Sequence, residues 1–223
     1  VLGQTLAAYG EFGAALVHAA DGLRIATEIG HQQWQCGAHC MLGVTYVAML
    51  APDRASPHLT ASLALGRALG SAWWMGMGAG YLALAHLLAG SPSRAESILA
   101  EVMPPAGVPR NAGERRTVWT WGELALAQGK PEEALRVADD LIASTPGQDR
   151  SQPIPTLLRL KGEALLALRR LDEAERTLED AKLGAIQRGA TPLLWQVHRA
   201  LVRLRLARAV EVHGLAVQLD RAL

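Results

Sequence analysis

The sequence predicts an all-α protein: a right-handed α-solenoid of antiparallel helix pairs, about 11 to 12 helices in all, with no sheet. Three observations predict it. Alanine recurs at Ala15, Ala55, Ala95, Ala134 and Ala174, at gaps of 40, 40, 39 and 40 residues. Around each alanine the surroundings repeat: Gly3, Gly43, Ala83, Gly122 and Gly162 stand twelve residues before, and Gly10, Leu50, Gly90, Gly129 and Arg169 stand five before. Finally, Phe occurs once in 223 residues and no stretch shows the β-branched alternation of a strand. Self-similarity at a fixed period of about 20 to 50 residues is what stacked supersecondary units produce.

The unit is clearest at Gly122-Glu-Leu-Ala-Leu-Ala-Gln-Gly129-Lys-Pro-Glu-Glu-Ala134. A small residue sits in an apolar run, a glycine ends the run, and Pro131 opens the next helix with Glu132 and Glu133 where the N-terminal dipole favours acids. Ala134 then lets two helices approach. In chain order, helices are expected at residues 2–9 and 12–29, a half-formed hairpin entering at the Gly3 position and stopped by Gly30. The next are at 33–50 and 53–69, stopped by Gly70, then 72–89 and 92–103. Pro104-Pro105-Ala-Gly107-Val-Pro109 cuts this third hairpin short by about two turns, since consecutive prolines cannot continue a helix. It is either a loop that ends a helix early or a joint that changes superhelical pitch. Helices at 112–128 and 131–144 follow, then a connector from Ser144 to Pro155 with three prolines. Helices at 154–169 and 171–188, stopped by Gly189, and a last one at 192–222 that could bend near Gly214 complete the set. The whole, 1–223, reads as one domain with repeats at about 1–30, 31–70, 71–110, 111–150, 151–190 and 191–223.

The pattern resembles the tetratricopeptide repeat (TPR) family, which puts a small residue at its eighth position, an Ala twelve later, and apolar or aromatic residues between. Leu42-Gly43 with Tyr46, Leu82-Ala83 and Leu165 match it; His86, Ala125 and Arg205 depart from it at the usual tyrosine position. Because the Gly-to-Ala interval is the family's own, the six or so residues beyond the standard ~34 should lengthen both helices by about a turn each at their far ends. Forty-residue units of this kind look like those in the sensor regions of large bacterial signalling ATPases, including transcription activators of the maltotriose-sensing type.

Charge is unevenly spread. Of 22 Lys and Arg and 21 Asp and Glu, ten fall in residues 1–109 and the other 33 follow. Solvent-facing positions of the first half carry Gly, Ala, Met, His and Trp instead. Either this is an Ala-rich solenoid with small surface residues, or the half is covered by a preceding domain of the same parent chain, by a second copy as a homodimer, or by a ligand. The net charge of +1 excludes nothing. No run reaches 18 apolar residues without a charge or turn signal and no leader opens the chain, so a cytoplasmic protein without a membrane partner is expected. Val1 in place of Met suggests an excised fragment.

Four features imitate chemistry. Gly76-Met-Gly78-Ala-Gly80 lacks a preceding strand and the spacing of a phosphate loop, and no Gly-Lys-Ser/Thr occurs anywhere; close helix packing explains it. Cys36-Gly-Ala-His39-Cys40, with His31 upstream and His86 on the neighbouring hairpin, offers metal-type ligands at helical spacing. A small apolar cysteine pair packed between helices accounts for it better, and no metal or cofactor is expected. No nucleophile motif accompanies the Ser, His and acidic residues, so no catalytic residues are assigned. Arg199, Arg203, Arg205 and Arg208 encircle the last helix rather than forming one stripe, which argues against direct nucleic-acid binding.

The expected function is therefore a non-enzymatic scaffold for a protein or peptide partner in a larger signalling or transcription-regulatory protein. The alternative is a small-molecule-sensing or autoinhibitory segment of an ATPase-linked regulator. By the resemblance, ligands meet the first helix of each pair three before, one after and four after the small residue, positions on one helical face. That face holds Cys40, Val44 and Val47; Gly80, Leu84 and Leu87; Trp119, Glu123 and Leu126; Arg159, Glu163 and Leu166; and Arg199 and Arg203. It runs from apolar to charged. Glu123 with Arg159, and Glu163 with Arg199, could also be plain salt bridges between neighbouring helices.

Overall fold

The computed structural model describes residues 2–103, 109–145 and 154–220, with side chains over 6–103, 109–145 and 154–211. Among the described residues every regular element is a helix. In order these are α1 (Leu2–Tyr9), α2 (Phe12–Glu28), α3 (Gln32–Ala48), α4 (Pro52–Ala68), α5 (Ala72–Leu88) and α6 (Pro92–Val102). After them come α7 (Ala112–Ala127), α8 (Pro131–Ala143), α9 (Pro155–Ala167), α10 (Leu171–Gln187) and α11 (Thr191–Asp220). The bounds lie within one or two residues of those expected from the repeat register. No described helix is long and apolar enough to cross a membrane.

The linkers explain the register. Gly10, Gly30, Gly70, Gly90, Gly129 and Gly189 all have positive φ, between 60° and 89°, and so do Leu50 (58°) and Arg169 (60°). At each of these positions the following N–H reaches back to a carbonyl five residues earlier, as in Ala51 to Tyr46 (2.9 Å), Ser71 to Gly66 (3.0 Å) and Arg170 to Leu165 (3.0 Å). The left-handed residue's own N–H bonds three residues back, Leu50 to Val47 at 3.0 Å for example. This pair of bonds satisfies the last carbonyls of the helix and turns the chain. The residue after the left-handed one is already the N-cap of the next helix, as Ala51 is for α4. Helices of 17 residues joined by three-residue links, α2 to α5, therefore repeat every 20 residues, half of the 40-residue period. Pro52, Pro92, Pro131 and Pro155 open α4, α6, α8 and α9, where a missing N–H costs nothing.

The irregularity expected after α6 is present: that helix has 11 residues against 17 in α5, and Met103 is extended (φ −159°, ψ 126°). Residues 104–108 and 146–153, which contain the rest of both proline-bearing loops and the possible joint, lie outside the described residues. The helix α11 continues unbroken through Gly214.

By packing, the chain falls into two compact units, residues 1–137 and 138–223, divided within α8. In the first, each helix from α1 to α7 packs on the next, and α1 on α3, α3 on α5 and α5 on α7 as well. Such a side-by-side array of first helices, backed by second helices, is the solenoid arrangement. In the second unit α9, α10 and α11 pack on one another in the same manner. Ala15, Ala55, Ala95, Ala134 and Ala174 are all fully buried, at 0% exposure. Gly43 and Gly162 sit against Leu59 and Leu178; a Cβ at Gly162 would meet Leu178 at 2.6 Å. These two hairpins thus each seat a leucine of the second helix on a glycine of the first.

Candidate functional site

In the first unit α5 and α7 approach backbone to backbone, and glycine makes it possible. Gly76 lies against the backbone of Gly113, and Gly113 against the carbonyl of Trp73, so that a side chain on either would overlap main-chain atoms. Gly78 faces Leu63 of α4 instead, with 3.1 Å available to a Cβ. The Gly76-Met-Gly78-Ala-Gly80 run is thus a packing device with two sides. Two hydroxyls fasten the seam: Thr117 Oγ1 lies 3.1 Å from the Gly76 carbonyl and Thr120 Oγ1 3.1 Å from the Gly80 carbonyl.

Gly80 has a second consequence. The position for its Cβ is occupied by the Arg116 stem, 2.7 Å away at Cγ, so the missing side chain lets that arginine lie across α5. Its guanidinium carbon sits 4.4 Å from the Tyr81 ring centroid and 4.4 Å from that of Trp119. Both contacts are within cation–π range. Arg116 is half-buried and has no acidic partner among the described residues.

The face derived from the repeat pattern is only partly open. Cys40, Val44, Val47 and Trp119 are buried, Gly80 is closed by Arg116, and Leu84, Leu87, Glu123 and Leu126 are half-buried. In the second unit Arg159 is 3% exposed and its guanidinium pairs with Glu163 at 3.1 Å, one turn along α9. The partner expected for Glu163, Arg199, is exposed and lies over the Trp195 ring at 5.4 Å; Arg203 is exposed too. Of the predicted residues, the structure groups Val44 with Leu84 in one apolar cluster, and Trp119 with the unpredicted Arg116 and Tyr81.

The residues with metal-type chemistry part company. Cys36 and Cys40 are both fully buried, and Cys36 Sγ lies 3.2 Å from the Ser62 carbonyl on α4. Burial pushes the Cys40 thiol up to about 12, which keeps it protonated and unreactive as a nucleophile at neutral pH. His31 caps α3, its Nδ1 accepting from Trp34 N–H at 3.4 Å. His39 turns away from the thiols and meets His58 of α4, with Nδ1 to Nδ1 at 3.0 Å. His86 is half-buried on α5, and burial with Arg94 nearby lowers its proton affinity. Among the described residues no three His, Cys, Asp or Glu side chains converge.

Neither Arg116 nor His58 is flagged by any local motif. His39 lies eleven residues before the turn at Leu50 and His58 eight after it, so counting from the turn alone does not pair them. Comparison with protein-family models and with curated proteins finds no match.

Proposed function

We propose that the chain is a non-catalytic helical-repeat scaffold of the kind the TPR resemblance implies, which holds a peptide or helix of a partner protein on its first helices. The observation that supports this reading is Arg116. A guanidinium clamped between two rings has lost most of its rotamer freedom before any partner arrives, so little further ordering cost opposes binding. Its N–H edge has no acid to satisfy it among the described residues. Arg, Trp and Tyr are also the residues that most often anchor interfaces. The half-buried Leu84 and Leu87 on α5 supply an apolar surface on the same helix. The partner in this reading carries a carboxylate next to apolar residues. The parent, by the resemblance, is a signalling or transcription-regulatory protein.

Selection of a displayed random-peptide library on the full chain tests it. The expected outcome is enrichment of peptides with an acidic residue beside apolar ones, whose binding is lost in Leu84→Glu and in both Arg116→Ala and Arg116→Gln. Enriched peptides that bind all three variants as tightly as the parent would move the site elsewhere. No enrichment above an unrelated helical-repeat control would count against a scaffold role.

A further inference from the structure

The first unit contains a pair of groups that the scaffold reading does not use. His39 on α3 and His58 on α4 face each other across the second hairpin, ring centroids 5.3 Å apart and planes tilted by 39°. The His58 ring is stacked on Tyr46 at 5.9 Å and 17°, and the other aromatic contact of Tyr46 is the Arg54 guanidinium at 5.4 Å. Both histidines are half-buried, and two packed helices fix their Cα positions. The rings are therefore held by the fold rather than by each other.

Two nitrogens bound to one zinc-type ion at about 2.0 to 2.1 Å lie roughly 2.9 Å apart at a right angle and roughly 3.3 Å apart at the tetrahedral angle. The observed separation of 3.0 Å falls between those values. Without an ion the same distance requires one Nδ1 to donate its proton to the other. With an ion, both rings carry hydrogen on Nε2 and present both Nδ1 lone pairs. Neither ring has a carboxylate partner among the described residues. The donor set is thus nitrogen only and uncharged. It suits borderline transition ions and not Mg²⁺ or Ca²⁺, which require oxygen ligands.

We propose that His39 and His58 form a two-histidine site for a divalent transition ion of the zinc, nickel or copper type, bound through both Nδ1 atoms with water at the remaining positions. The ion clips α3 to α4 without taking part in a reaction. The buried Cys36 and Cys40 are not its ligands.

The test uses the full chain without a polyhistidine tag, stripped with a chelator and titrated calorimetrically with NiCl₂ or ZnCl₂ at neutral pH. One ion per chain is expected. His39→Ala and His58→Ala should each weaken binding at least about tenfold, while His31→Ala, at the exposed cap of α3, leaves it unchanged. His39→Gln and His58→Gln, which retain bulk at half-buried positions, should behave as the alanine variants do while keeping the helical circular dichroism of the parent. Electron paramagnetic resonance of the Cu²⁺ form gives a second readout: hyperfine structure from two imidazoles in the parent and from one in each variant. Failure to bind any of the three ions would overturn the site. So would binding whose strength is indifferent to both histidines, or binding lost with His31.

Discussion

Leu50 and Arg169 occupy a backbone conformation that their repeat mates fill with glycine. At φ of 58° and 60° each accepts the crowding between Cβ and the backbone that glycine avoids. That crowding costs about 1 to 2 kcal/mol, of which glycine would return part through its greater unfolded-state entropy. The substitutions Leu50→Gly and Arg169→Gly should therefore each stabilise the chain by about 0.5 to 1 kcal/mol. Arg169 also makes an exposed ion pair with Glu211 (2.6 Å), an interaction of little net worth, so its gain should sit at the lower end. Urea midpoints of the two variants check this, and a fall in either would mean that the Leu50 or Arg169 side chain contributes more than its strain costs. The left-handed residues were legible only through register. A lone Leu50 signals nothing, whereas Leu50 in the column of Gly10, Gly90 and Gly129 marks a turn. The same limit hid Arg116 and His58, whose neighbours come from other helices and depend on rotation about each helix axis. Repeat spacing does not fix that rotation.

At the level of the helix, glycines that look alike in sequence do opposite things. Gly22 lies inside α2 with nothing within 4 Å of a Cβ, while Gly113 lies near the start of α7 against the backbone of Trp73. Gly22→Ala should stabilise by up to about 1 kcal/mol, the difference in helix propensity. Gly113→Ala has no flexible side chain to push aside and must separate α5 from α7, costing about 1 to 3 kcal/mol or more. It should also loosen the contacts of Thr117 and Thr120 and the clamp on Arg116. The readout is a pair of thermal melts with Trp fluorescence, in which Gly113→Ala alone lowers the midpoint and shifts the emission of Trp73 and Trp119. Equal effects from the two glycines would refute the close approach at this seam. This seam also explains why the repeat-derived face reads imperfectly. Gly80 is filled by the Arg116 stem, Val44 and Trp119 are buried, and in the second unit Arg159 is closed off beside Glu163. The helix ends, by contrast, were legible almost to the residue, because stop signals, N-terminal prolines and the column of buried alanines all act locally.

At the scale of the whole molecule, within each unit the helix contacts among the described residues join a helix to the next one or the next but one. The helix α3 packs on α1, α2, α4 and α5; α10 packs on α9 and α11. In a structure built this way stability is close to a sum of local terms, and a perturbation should spread only as far as the helices that share a contact. Ala174 on α10 is fully buried, and Ala174→Leu adds a bulk that the α9–α10 contact cannot absorb, at about 1 to 3 kcal/mol. Hydrogen exchange read by mass spectrometry should then show faster exchange in peptides from α9, α10 and α11, with α3 and α4 unchanged from the parent. Gly113→Ala should do the converse, accelerating α5 and α7 and leaving α10 as it was. Acceleration of every helix by either substitution would show that the chain opens as one cooperative body, and a description by nearest-neighbour contacts would then fail. If the effects remain local, binding at α5 and α7 and ion binding at α3 and α4 can be altered one at a time, because Ala174→Leu would leave both untouched.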